Sequence, residues 1–241
     1  MRVLSIDWDY FQKVTKETVQ KCYPEGIDLP TNLSEIVWGS KYAMYARELA
    51  KVILLYHEYD SLLELLSKQN RNCPVMIANS HSHIYGFIQS YLRGTAQITN
   101  IDMHHDIIND NAELDCGNWI SKLIKDKVIA KSSPKEYNSI RWIANPISLD
   151  TYGLSEDLDP QMQKTLANLC QCKSIADIID EKFDIIYLAR SDNWSPPHLD
   201  TYFCDLVKKI KERFFDIVVE RGIDKPRREY LAVVESVKNY V

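Results

Sequence analysis

ITNIDMHHDI, residues 98–107, opens as an apolar, β-branched run and closes on Asp102, His104, His105 and Asp106. The run reads as a buried strand over 97–101, and the cluster behind it as the loop at that strand's carboxyl end. Four titratable groups so close together repel or desolvate one another unless something compensates them. The segment is therefore either a solvated loop or a cation site. Residues two apart on an extended chain point the same way, so Asp102, His104 and Asp106 face together and His105 faces away.

The same pattern recurs along the chain. Residues 3–6, 75–78, 140–144 and 184–189 are further short apolar runs. Helical periodicity lies between them: over 40–66 with a break near Tyr59, from Gly117 onward, and from Asp200 as N-cap to Gly222 as stop signal. Strands alternating with helices predict βαβ units, hence an α/β fold of three layers, α/β/α, around a mainly parallel sheet. Segments 22–39 and 146–160 resist assignment and read as functional loops or as crossing connections. No repeat or linker interrupts the chain, so residues 1–241 are expected to form a single domain.

Composition narrows the function. The 241 residues are 45% hydrophobic with a formal net charge of −5. No basic stripe interleaved with aromatics occurs, which argues against a nucleic-acid partner. No apolar run reaches membrane-spanning length, and the N-terminus is too polar for a signal peptide, so a cytoplasmic protein is expected, with no membrane partner. Six cysteines, at 22, 73, 116, 170, 172 and 204, form no C-x-x-C pair and read as reduced thiols.

Open parallel sheets carry their sites beyond the carboxyl ends of the strands. Here those ends are IDWDYF (6–11), ANSHSH (78–83), NIDMHHDI (100–107) and LARSDNWSPPH (188–198). On an extended chain Asp7 and Asp9 also face together. With Asp102, His104, Asp106 and one histidine from 81 or 83, the strand ends offer four carboxylates and two imidazoles. Two divalent cations sharing a hydroxide would bring that set close to neutrality, as a buried site requires. Oxygen-rich ligation with some imidazole and no thiolate suits Mn²⁺.

At these residues the sequence resembles the arginase-like ureohydrolases. Asp102-Met103-His104-His105-Asp106 matches that family's D-A-H-x-D motif, SIDWDYF its S-F-D-x-D, ANSHS its G-G-D-H-S, and CGNW (116–119) its S-G-N segment. The D-x-D strand comes first here and late in ordinary arginases, which implies either a circularly permuted sheet or a first strand inserted where a later one normally lies. The histidine that follows S-G-N as a proton shuttle is absent. The resemblance is greater to peptide arginases, which turn arginine side chains of ribosomally made precursor peptides into ornithine and urea.

The resemblance implies two Mn²⁺ ions bridged by Asp7 and Asp102, with His81 and Asp106 on one ion and His104 and Asp9 on the other. His83 is the alternative to His81, or a group supporting it. Asp106 would also hold the hydroxide and shuttle its proton. Asp192 would receive the guanidinium, Trp194 would wall its methylenes, and Asn118 would sit near the substrate's amino-acid end. The expected partner is an arginine-containing precursor peptide. Two other readings fit the same residues: a metal-dependent phosphoesterase or amidohydrolase, and a metal-binding protein that turns nothing over.

Overall fold

The computed structural model describes residues 1–24, 28–107, 113–129, 139–148, 169, 173–228 and 230–238. Six parallel strands form the central sheet: β1 (Arg2–Asp7), β4 (Val75–Ala78), β5 (Gln97–Asp102), β6 (Ile140–Ala144), β7 (Ile185–Ala189) and β8 (Ile217–Val219). Their order across the sheet is β6-β5-β1-β7-β4-β8. A small antiparallel pair, β2 (Gln12–Lys13) with β3 (Ile53–Leu54), stands apart from it.

Side-chain alternation explains why the sheet is covered twice. On β7, Ile186 and Leu188 join one apolar cluster with Leu4 and Ile6, while Ile185, Tyr187 and Ala189 join the other with Val3. The first cluster is closed by α3 (Tyr56–Ser67) and α6 (Asp200–Arg213), through Leu62, Leu65, Phe203 and Leu206. The second is closed by α4 (Ile84–Tyr91) and α5 (Trp119–Lys125), through Ile84, Ile88, Ile120 and Leu123. The result is the expected three-layer α/β/α architecture. A third cluster joins α1 (Lys16–Cys22), α2 (Thr31–Leu49) and α7 (Leu231–Lys238) around Trp38, Tyr42 and Val234. No helix among the described residues is long and apolar enough to cross a membrane.

Three sequence expectations change. The helical pattern over 40–66 is two helices, and the break falls at 50–55, not at Tyr59, which lies inside α3. There the Leu55 N–H donates to Phe11 O at 2.7 Å, so backbone pairing with the segment after β1 overrides the apolar periodicity. The supposed loop 22–39 contains the start of α2, which begins directly behind Pro30. The helix from Asp200 stops at Arg213, not Gly222, because the β-branched run Ile217–Val219 pairs with β4 as an edge strand. Residues 149–160 of the second supposed loop, and Cys170 and Cys172, lie outside the described residues; Cys22, Cys73, Cys116 and Cys204 are free thiols.

Candidate metal centre

Register puts the functional ends together. Ile6 lies opposite Ile101, so Asp7 and Asp102 leave adjacent strands side by side, and Ala78 lies opposite Ala189 two strands away. Asp7 and Asp9 converge for a different reason from the one expected: the chain bends after Asp7 into a 3₁₀ turn, Trp8–Phe11, and the Asp9 N–H donates to Asp7 Oδ1 at 3.1 Å. A turn, not strand alternation, aligns them. The loop after β5 is held by Asp102 and by Asp9 from the turn after β1. The His104 N–H donates to Asp102 Oδ1 at 2.7 Å and the Met103 N–H to Asp9 Oδ1 at 3.2 Å. Ser80 caps the short 3₁₀ turn that presents His81.

Five of the six expected residues form two overlapping groups, and the sixth, Asp106, lies beside His81. His81 Nδ1 lies 3.1 Å from Asp7 Oδ2, 3.1 Å from Asp102 Oδ2 and 3.3 Å from Asp106 Oδ2. His104 Nδ1 lies 2.9 Å from Asp9 Oδ2 and 3.6 Å from Asp102 Oδ1. Asp7, His81 and Asp102 form one group able to hold an ion; Asp9, Asp102 and His104 form another. Asp102 belongs to both, one oxygen facing each.

Electrostatics and donor chemistry fit divalent cations. Burial holds the Asp9 carboxyl well above the usual carboxylate range, and Asp7 and Asp102 push it the same way. Asp106 is raised by burial and then by Asp102. For Asp102 burial acts upward too, but His104 and His81 outweigh it and hold the group below its ordinary value. His81 is raised despite its burial by Asp102, Asp106 and Asp7. A cluster that must keep protons on some carboxylates to balance its charge is one where cations can replace those protons. Asp9 Oδ2 is fully buried and faces His104 Nδ1 at 2.9 Å, as two ligand atoms aimed at one ion would.

Residues that the sequence reading passed over hold the ligands in place. Ser5 Oγ lies 2.6 Å from His81 Nε2, so that nitrogen can carry the proton while Nδ1 presents its lone pair to the cluster. Asn100 Nδ2 donates to Asp102 Oδ2 at 3.2 Å, Trp119 Nε1 to Asp106 Oδ2 at 2.5 Å, and the Ser191 hydroxyl to Asp7 Oδ2. Ser5 and Asn100 each precede a ligand by two strand positions, a spacing that signals a shared face. Asp106 (φ 55°) and Ser191 (φ 50°) are two of three non-glycine residues at positive φ among the described residues, and strain of this kind is characteristic of functional sites.

The remaining expected residues are placed as follows. His83 is exposed, 4.0 Å from Glu220 Oε2, and does not join the cluster. His105 faces away, edge-on to Trp142. Trp194 flanks the cluster with its ring centroid 4.8 Å from that of His104. Asn118 is turned to its own loop, donating to Glu113 O at 2.7 Å and accepting from the Asp115 N–H at 3.0 Å. Asp192, expected to be open to a guanidinium from outside, is held by one from within: Arg190 Nε donates to Oδ1 at 2.5 Å and Nη2 to Oδ2 at 3.2 Å. Its carboxylate is not an open acceptor. Compared with protein-family models, curated proteins and solved structures, the chain matches none.

Proposed function

We propose that the protein is a dinuclear metal hydrolase, loaded with Mn²⁺, that converts an arginine side chain within a peptide to ornithine and urea. The observation that carries the reading is Asp102, shared between two ligand groups that together contain three carboxylates and two imidazoles, with the Asp106 carboxylate beside His81. When bound, a pair of divalent cations supplies hydroxide near neutral pH and neutralises developing charge. Asp7, His81 and Asp106 would hold one ion, Asp9 and His104 the other, with Asp102 between them. In the overall reaction one water adds across the guanidinium carbon–nitrogen bond; the side-chain nitrogen leaves as the ammonium of ornithine and the carbon leaves as urea. Asp106, fixed by the Trp119 N–H, is the residue assigned to hold and pass on the proton.

The arginine part of the reading is supported by the D-M-H-H-D and S-I-D-W-D motifs. The peptide part is supported by Asn118: its amide is buried and bonded into the loop before α5, not presented to the α-groups of a free amino acid. A phosphoesterase would need a cation beside the metals. Arg190 and Arg227 come closest to that role, and both are held by Asp192 and Asp200. The test is incubation of Mn²⁺-loaded protein with arginine-containing peptides, following urea release and loss of CH₂N₂ by mass spectrometry. Two bound metals with no urea from any such peptide would reject the reading.

A further inference from the structure

A cationic side chain entering this centre needs a carboxylate that is not already committed. Asp192 is gripped by Arg190, and Asp200 by Arg227. Asp7, Asp9, Asp102 and Asp106 converge on the two imidazoles. Glu220 accepts from the Asn79 N–H at 2.8 Å. Asp28, like Glu220, accepts a single hydrogen bond among the described residues, but its donor directly precedes the ligand His81, whereas Glu220 faces the exposed His83. Asp28 is half-buried, and its Oδ2 accepts that bond from Ser80 Oγ.

Its position is built, not incidental. Ser80 directly precedes His81, its carbonyl accepts from Tyr187 Oη, and the Tyr187 ring lies parallel to His81 with centroids 5.9 Å apart. The Ser80 hydroxyl therefore ties Asp28 to the same strand end that presents a ligand imidazole. From the other side, the start of α2 is fastened over the strand ends. Asn79 Nδ2 donates to Thr31 Oγ1 at 3.2 Å, and Ser34 Oγ and Trp38 Nε1 donate to Asp192 O at 2.8 and 2.7 Å. Asp28 lies within Coulombic reach of Asp7 and His81, and the Cys116 thiol at the head of α5 feels both Asp28 and Asp106. Asp28 thus stands beside the strand end that carries His81.

We propose that Asp28 is the carboxylate that receives the positive charge of the substrate side chain, with Oδ2 held by Ser80 and Oδ1 open to a guanidinium N–H. This rests on the hydrolase reading above. A hydrogen bond between charged groups is roughly twice as strong as a neutral one, so Asp28 would make the site choose a cationic side chain over a neutral one of the same shape.

The test uses Mn²⁺-loaded wild type, Asp28→Asn and Asp28→Glu, with an arginine-containing peptide and the same peptide carrying neutral citrulline. Asp28→Asn is expected to bind the arginine peptide about tenfold or more weakly, to bind the citrulline peptide unchanged, and to keep its metal. Asp28→Glu, which keeps the charge, should recover part of the loss and controls for misfolding. Wild-type affinity for the arginine peptide in Asp28→Asn overturns the inference, whether or not urea is released. Loss of that affinity together with absence of urea from the wild type upholds Asp28 and overturns the hydrolase reading. A wild type that binds neither peptide overturns both.

Discussion

Arg190 grips Asp192, two residues further along the chain, through two parallel bonds, and both side chains are almost wholly buried. Arg227 extends the pair: its Nη1 is 3.8 Å from Asp192 Oδ1, and its Nη2 reaches Asp200 Oδ1 at 2.6 Å. Two arginines and two aspartates thus neutralise one another beneath the loop after β7. That loop also carries Ser191, whose hydroxyl bonds Asp7. The quartet is a frame for the centre.

Removing one member leaves its partners charged and buried. Asp192→Ala is therefore expected to destabilise the protein by about 3–5 kcal/mol, the usual consequence of breaking a buried pair. Denaturant unfolding checks this. A loss under about 1 kcal/mol, the range of exposed pairs, would show that Arg190 and Arg227 find other partners or water.

The same pair sets an acid dependence. Burial pushes the Asp192 carboxyl upward, but Arg227 and Arg190 outweigh it and hold it below the ordinary range. The folded state then binds the proton less readily than the unfolded chain. The pair's stabilisation is complete above the unfolded value of about 3.9 and is lost as pH falls below it. Stability measured from neutral pH down to about pH 3 should fall more steeply in wild type than in Asp192→Ala; parallel slopes would contradict the pairing.

Ser5 orients His81 from behind. Ser5→Ala deletes one oxygen from a buried position and should leave the fold intact while weakening Mn²⁺ binding 10–100-fold, the usual effect of losing a partner behind a ligand, on the order of 1.4–2.7 kcal/mol. Calorimetric titration with Mn²⁺ reads it. Unchanged affinity would mean that the ring needs no such support.

His81, His83 and His105 should separate cleanly. His81→Ala should lose most of the metal held by the group with Asp7, while His83→Ala and His105→Ala should keep a full complement, since His83 is exposed and His105 packs on Trp142. Metal content by mass spectrometry decides it. Metal loss in His105→Ala but not in His104→Ala would reverse the register assigned to residues 102–106.

Five strands were legible because each is buried on both faces and so reads as an unbroken apolar run. β8 was not, because FFDIVV continues the apolar spacing of the preceding helix and only pairing with β4 distinguishes strand from helix there. The break between α2 and α3 was equally hidden, since its cause is a bond to Phe11, more than forty residues upstream. At the centre, residues clustered within a motif could be read from spacing. The contacts of Tyr187 and Ser191 could not, although both lie in or beside the strand end over 188–198. Tyr187 meets His81 and Ser191 meets Asp7 only across strands, and Asp28 meets Ser80 from a segment without a motif. Asp192 shows the converse: its place at a strand end was legible, but the two arginines that occupy it come together only in the fold.

The most direct measurement is the Mn²⁺ content of wild type and Asp102→Ala after loading and exhaustive dialysis, with circular dichroism to verify that both are folded. Because Asp102 offers one oxygen to each ligand group, wild type should retain two ions per chain and Asp102→Ala should lose most of both together. A folded Asp102→Ala protein that still holds two ions, or a wild type that retains none, would contradict the shared dinuclear centre.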